Sequence, residues 1–291
     1  MCEAFVNFGL MTGIVVAPKT VERRYRAATK ALFDLIETRT NRLAPEGVHD
    51  LRITVRRIQA IRELLPKRVR KSEGFKKFDS AIEKLLRATS GMRDVDTVLS
   101  VLEPYREALP GAFFGGLLEE RKAEAKGARV VMDTILKQEP PTLEGARISR
   151  KRISSKAKRM IRKRRKVVGA VLFKVLTDEG RVKELHRLRI EVREIRYVME
   201  LVKNRTEERT VLADWQEALG RIHDLDMAIA CLKEKGLDRP ELAGRLGRQR
   251  HLGYVRFVNQ FGSLSRETRR ETERPAEAIA LIPDLEDILP R

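Results

Sequence analysis

Apolar residues recur every three or four positions along most of the chain, and no stretch alternates apolar and polar residues convincingly enough to suggest a strand. Val21, Tyr25, Ala28, Leu32 and Leu35 predict a helix from about residue 19 to 40, with Arg23, Arg26 and Lys30 on its opposite face. Pro45 and Gly47 break the pattern before a second helix that ends near Pro66. Phe75, Phe78, Ile82, Leu85 and Leu86 mark a third, stopped around Gly91; Asp94 or Asp96 then reads as the N-cap of a helix running towards Pro110. A long helix is expected from about Phe113 to Lys137, and Glu139-Pro140-Pro141-Thr142-Leu143-Glu144-Gly145 reads as a linker. Beyond it the order repeats: a basic helix to about 176, another to about 204, segments at 208–219 and 223–235, and a last helix from about 240 to 273. The expected fold class is all-α.

Two of these helices carry the same pattern. His49-Asp-Leu-Arg52-Ile-Thr-Val-Arg56 and His186-Arg-Leu-Arg189-Ile-Glu-Val-Arg193 each place arginines three and seven residues after a histidine. At about 100° per residue, the three basic positions fall within about 60° of one another. Leu51, Val55, Ile58, Ile61 and Leu65 lie opposite in the first copy; Leu188, Val192, Ile195, Val198 and Val202 oppose His186, Arg189, Arg193 and Arg196 in the second. Each copy is followed by an acidic motif, Arg93-Asp94-Val95-Asp96 and His223-Asp224-Leu225-Asp226. The histidines are 137 residues apart and the aspartate pairs 130. Two blocks in one order at nearly one offset predict an internal duplication. The expected architecture is two pseudo-symmetric antiparallel helical bundles, 19–139 and 146–274, between an N-terminal arm (1–18) and a C-terminal tail (275–291).

Composition narrows the partners. Of 291 residues, 61 are Lys or Arg and 42 are Asp or Glu, a formal net charge of +19 that predicts attraction to polyanions whatever the fold. Aromatic residues make up only 5%, too few for the stacking platforms on which single-stranded nucleic acids usually rest. Cys2 and Cys231 have neither zinc spacing nor disulfide density, so a reducing cytoplasmic setting is expected. The apolar run from Glu3 to Ala17 is too short and interrupted to span a bilayer, and no membrane partner is expected. The densest basic run, 147–166, keeps an apolar stripe through Ile153, Ala157, Met160 and Ile161; it reads as an amphipathic helix with Lys158, Arg159, Arg162, Arg165 and Lys166 on a cationic face. Arg164 falls near the stripe and must snorkel or mark an interface.

Arginine forks donate paired charge-assisted hydrogen bonds to phosphate oxygens, and lysine adds a point charge. Residues at i, i+3 and i+7 would let one helix touch successive phosphates. The histidines admit other readings: metal ligands, which the neighbouring arginines oppose; phosphoacceptors, for which no nucleotide loop is present; or packed residues at helix starts. His223 and His251 read as structural. The four aspartates read as caps and as salt-bridge partners that orient the arginines, rather than as a catalytic or metal-binding set. No nucleotide-binding loop, zinc-protease motif or nucleophile elbow is present, so a non-enzymatic protein without cofactor or metal is expected.

The twin His-x-x-Arg-x-x-x-Arg motifs with their acidic partners, in order, closely resemble the CHAD (conserved histidine α-helical domain) family over about residues 19–273. The resemblance implies paired helical bundles that bind inorganic polyphosphate on a basic surface between them, and an association with polyphosphate granules. It carries over to His49, Arg52, Arg56, His186, Arg189 and Arg193. Basic positions on the first and sixth helices, Arg23, Arg26, Lys30, Arg159, Arg162 and Lys166, vary more; Arg196, on the second motif helix, completes the candidate set. The family often accompanies a triphosphate-processing barrel opened by an E-x-E-x-K strand, which this sequence lacks. His223 departs from the family's pattern, which has a small or polar residue there. Nucleic acid, held by its phosphate backbone, is the alternative partner.

Overall fold

The computed structural model describes residues 14–38 and 43–272, with side chains as far as 260. Every regular element among them is helical: α1 (Pro18–Glu37), α2 (Pro45–Leu64), α3 (Lys67–Arg70), α4 (Glu73–Ala88), α5 (Ser90–Leu102), a 3₁₀ segment (Glu103–Ala108), α6 (Gly111–Leu136), α7 (Arg150–Thr177), α8 (Val182–Met199), α9 (Thr206–Glu234) and α10 (Pro240–Thr272). The all-α expectation holds. Proline supplies the first helical residue of α1, α2 and α10, where its missing N–H costs nothing. Ser149 caps α7 by accepting from the Arg152 N–H. Gly236, at φ +67°, ends α9: the N–H of Leu237 reaches the Leu232 carbonyl at 2.8 Å and folds the chain back into α10.

The helices fall into two runs, α1–α6 and α7–α10. In the first, α1 packs on α2, and α6 on α4 and α5; in the second, α8 packs on α7 and α9, and α10 on α9. The halves meet where α2 crosses α8 and α5 packs on α9. One clamp occurs in both. Arg121 of α6 pairs with Asp96 of α5 and donates to the Leu43 carbonyl just before α2. Arg250 of α10 pairs with Asp226 of α9 and donates to the Glu179 carbonyl just before α8. Each clamp ties three segments of its half, with its ions largely out of solvent.

The cores do not divide by halves. One apolar cluster runs from Val21, Leu51 and Phe78 through Ile161, Leu188 and Trp215. A smaller one gathers Val98, Leu102, Phe114 and Leu117 from the first half with Ala228, Leu232, Leu242 and Leu246 from the second. The α2 stripe accounts for much of the first: Leu51, Val55, Ile58 and Leu65 are fully enclosed, each stabilising the fold by about 1.5–3 kcal/mol relative to exposure.

Several expectations need correction. Asp94 and Asp96 cap nothing; α5 starts at Ser90, and both lie inside it. The segments expected at 208–219 and 223–235 are one continuous helix, α9, so His223, Asp224 and Asp226 are mid-helix residues as well. Residues 14–18 are not a loose arm: Ile14 and Val16 are buried, the Val16 N–H donates to Ser154 Oγ at 3.0 Å, and the Lys203 N–H donates to the Val15 carbonyl. The run between α6 and α7 is no free tether either, since Leu143 is buried in the main cluster. On α7, Arg165 is buried in the apolar stripe rather than on the cationic face. Arg164 lies at the seam with α8, bonded to Glu191 at 3.0 Å and Glu194 at 3.4 Å. The rest of the arm and the tail 275–291 lie outside the described residues.

Candidate polyanion-binding site

The basic faces of α2 and α8 do not point outward as two separate strips. The apolar stripe of each helix commits its other face to the seam between the halves, where α5 and α9 also meet. His49, Arg52, Arg56, Arg189, Arg193 and His186 converge there, joined by two residues that sequence reading left out of the site, Arg93 and His223. Neighbouring guanidiniums lower the proton affinity of Arg52, Arg56 and Arg189. Arg52 is brought down to about 10, by burial first and then by Arg56, with Arg193 and Arg93 adding to it. Arg56 is lowered by burial and by Arg193, and Arg189 by burial and by Arg193, Arg56 and Arg93. All remain cations at neutral pH.

Two carboxylates stand among these cations. Asp94, on α5, feels Arg52, Arg93 and Arg189; Asp224, on α9, feels Arg189, Arg93 and His49. Desolvation nevertheless pushes both carboxyls up. Arg52, Arg93 and Arg189 thus share two acids, neither of them tied to one arginine by a hydrogen bond, while Arg56 and Arg193 face Glu194. This arrangement leaves donors for another anion. Arg193 shows it most clearly: its terminal nitrogen makes a long 3.4 Å contact to Glu194, while its Nε is buried with no hydrogen-bond partner. An unsatisfied buried donor of this kind is costly unless something else accepts from it.

Two arginines have additional attachments. Arg52 donates one terminal nitrogen to the Leu86 carbonyl at 2.6 Å and to Thr89 Oγ1 at 3.0 Å, and so holds the joint between α4 and α5. Arg56 is supported by a side-chain hydrogen bond to the buried Tyr197. Arg196 is occupied by its neighbours instead: Gln216 accepts from it at 2.7 Å, Glu200 lies at 3.5 Å, and its guanidinium sits 5.0 Å over the Tyr197 ring.

The three histidines of the site are all depressed. Burial and then Arg93 lower His49, and burial, Arg189 and Arg193 lower His186. His223 falls to about 4 through burial, Arg189, His186 and Arg193. Its Nδ1 lies 3.4 Å from Nδ1 of His186, with the ring centroids 4.8 Å apart. His223 occupies the place that Arg93 has in the first half, so one half carries a permanent cation there and the other a titratable one. His251 pairs with Glu179 at 2.8 Å, consistent with its structural reading.

The remaining sequence-predicted residues lie elsewhere. Arg23, Arg26 and Lys30 are on the exposed face of α1, and Lys30 bonds to Asp34 at 2.9 Å. Arg159, Arg162 and Lys166 are on the exposed face of α7. Neither row shares a described contact with the central cluster. Among the described residues, no group of three or more His, Cys, Asp or Glu side chains is placed to hold a metal, and no helix is long and apolar enough to cross a membrane. Arg93 and His223 carried one usable sign, a basic residue immediately before the first aspartate of both acidic motifs.

A family model described as the CHAD domain matches residues 23–233, a span that contains every member of the central cluster. Among solved structures the chain is similar to the crystal structure of the CHAD domain from the plant Ricinus communis, at 16% identity and a TM-score of 0.45, covering 91% of this chain and 94% of that one. No curated protein sequence matches it.

Proposed function

The chain belongs to the CHAD family, and from that premise we propose that it is a non-enzymatic module that binds inorganic polyphosphate across the seam between its halves. One observation carries the reading: five guanidiniums on α2, α5 and α8 converge around Asp94, Asp224 and Glu194, with a buried Arg193 donor left unmet. A phosphate chain supplies successive oxyanions to such an array, and each fork can hold two oxygens. His49, His186 and His223 extend the grip as hydrogen-bond donors. The exposed rows Arg23, Arg26, Lys30 and Arg159, Arg162, Lys166 surround it with positive potential that speeds encounter. The repeated Arg121–Asp96 and Arg250–Asp226 clamps support an internal duplication, in which each half contributes half of the binding face. A cytoplasmic setting at polyphosphate granules belongs to the same reading.

Nucleic acid would meet the same cations. Apart from the imidazoles, the aromatic ring described at the central site, Tyr197, is buried, so no Phe, Tyr or Trp described there offers bases an exposed face. The test is calorimetric titration with long-chain polyphosphate at physiological salt, beside RNA and DNA of matched charge. Polyphosphate should bind at least ten-fold more tightly, about 1.4 kcal/mol. Equal affinities would replace this reading with generic polyanion binding.

A further inference from the structure

The C-terminal end of α2 carries a second concentration of cations, which the repeat does not explain. At the 137-residue offset of the histidines, Arg62 corresponds to Met199 and Arg70 to Glu207, so this is no copy of the central face. Lys156, reaching in from α7, is half-buried here. Its ammonium donates to the Leu65 carbonyl at the end of α2, at 3.2 Å. Burial lowers its pKa first; Arg70, Arg159 and Arg62 lower it further, with Glu63 acting in opposition. Arg70 has a terminal nitrogen 4.0 Å from Glu63, while its Nε is buried without a hydrogen-bond partner. Glu63 is shared with Arg62 at 3.5 Å, and Arg62 is also bonded to the buried Asp79.

Four cations thus meet two carboxylates, one of them already engaged. Ordinary surface lysines and arginines turn towards water, but Lys156 and Arg70 are held by the protein, as donors prepared for an anion are. An open cleft of about 410 Å³ lies at the residues just before Arg70 in the chain, lined by Arg68, Val69, Gly145, Ala146 and Arg147. Arg68 secures its wall by donating to the Arg147 carbonyl at 2.9 Å. A single carboxylate would engage a fraction of this array, whereas a multivalent anion with several oxyanions matches it. We propose that the junction of α2, α3 and α7 is a second anion site, which takes a short condensed phosphate on Arg70 and Lys156 with its far end in the cleft between Arg68 and Arg147.

The choice of ligand rests on the reading of the central face, so the two are tested together in separate arms. The full chain is titrated calorimetrically with inorganic tripolyphosphate as wild type, as Arg70→Gln with Lys156→Ala, and as Arg56→Gln with Arg193→Gln. A control carries Lys158→Ala with Lys163→Ala, both exposed on α7. The wild type should show two sets of sites. The Arg70/Lys156 variant should weaken one set at least ten-fold and keep the other, the Arg56/Arg193 variant should do the reverse, and Lys156→Arg should retain both. An Arg70/Lys156 variant that titrates like the wild type overturns the proposal, as does an equal loss in the control, which would mean diffuse attraction. A null effect of the Arg56/Arg193 pair alone would sink the central reading and leave this one standing. No binding to the wild type removes both.

Discussion

Acidification should strengthen polyphosphate binding through His223, and the size of the effect can be worked from its surroundings. In the free protein its pKa lies near 4, against an ordinary 6.5, because of burial, then Arg189, His186 and Arg193. Phosphates laid across Arg189 and Arg193 cancel the repulsion from those arginines and favour the imidazolium. Full recovery to about 6.5 would raise affinity about 25-fold between pH 7.5 and pH 5. The ring is partly open to solvent and ligand does not undo its burial, so a gain of about three- to ten-fold is expected. Asp94 and Asp224, whose carboxyls are also pushed up, add positive charge in the same direction when they protonate at lower pH. The assay is calorimetry at pH 6 in two buffers of different protonation enthalpy, where the difference in heat counts protons taken up. Long chains are used because terminal phosphates titrate near neutrality. Uptake should be positive and should fall in His223→Asn. No uptake, or affinity that declines on acidification, would refute the reasoning.

The same linkage has the opposite sign for the free fold. Between about pH 4 and 6.5 the unfolded chain holds the proton that folded His223 refuses, so the melting temperature should fall as pH drops through that window, with Asp94 and Asp224 partly offsetting it, and saturating polyphosphate should restore it. Arg121→Ala strands the buried carboxylate of Asp96 and should cost about 3–5 kcal/mol in urea unfolding, most of it recovered when Asp96→Leu accompanies Arg121→Met. Trp215→Ala, which empties a fully buried site packed edge-on against Phe257, should cost about 3–5 kcal/mol by the same measurement. Arg56→Ala with Arg193→Ala should leave the melting temperature level or raise it, since like charges part, while polyphosphate affinity falls ten-fold or more by calorimetry.

The helices and the basic faces of α2 and α8 were legible because both depend on a 3.6-residue period that the sequence displays directly. The middle of α5 and α9 was misread for a local reason. Gly91 and Gly220 looked like stops and the aspartates after them like caps, yet both glycines sit inside helices. At Gly91 a Cβ would come within 3.0 Å of the flexible Glu124 side chain, a neighbour from α6 and not a break in α5. That error kept Arg93 and His223 out of the site, because a turn residue has no defined face. Arg165 illustrates the limit of pattern reading in a basic run: it lies four residues after Ile161, on the buried stripe, and the surrounding charges hid that register. The meeting of the two basic faces across α5 and α9 was beyond periodicity altogether, since it depends on how the halves are set against each other.

Arg52 is proposed to bind phosphate, and it is set at a structural joint. Its bonds to the Leu86 carbonyl and to Thr89 Oγ1 splice α4 to α5, and the same guanidinium faces the seam. A phosphate that competes for this fork loosens the splice; one that shares it draws the joint tighter. If the seam holds phosphate as proposed, its occupancy and the angle between α4 and α5 are mechanically linked, and the exchange rates of the amide protons around Thr89 become a gauge of that occupancy.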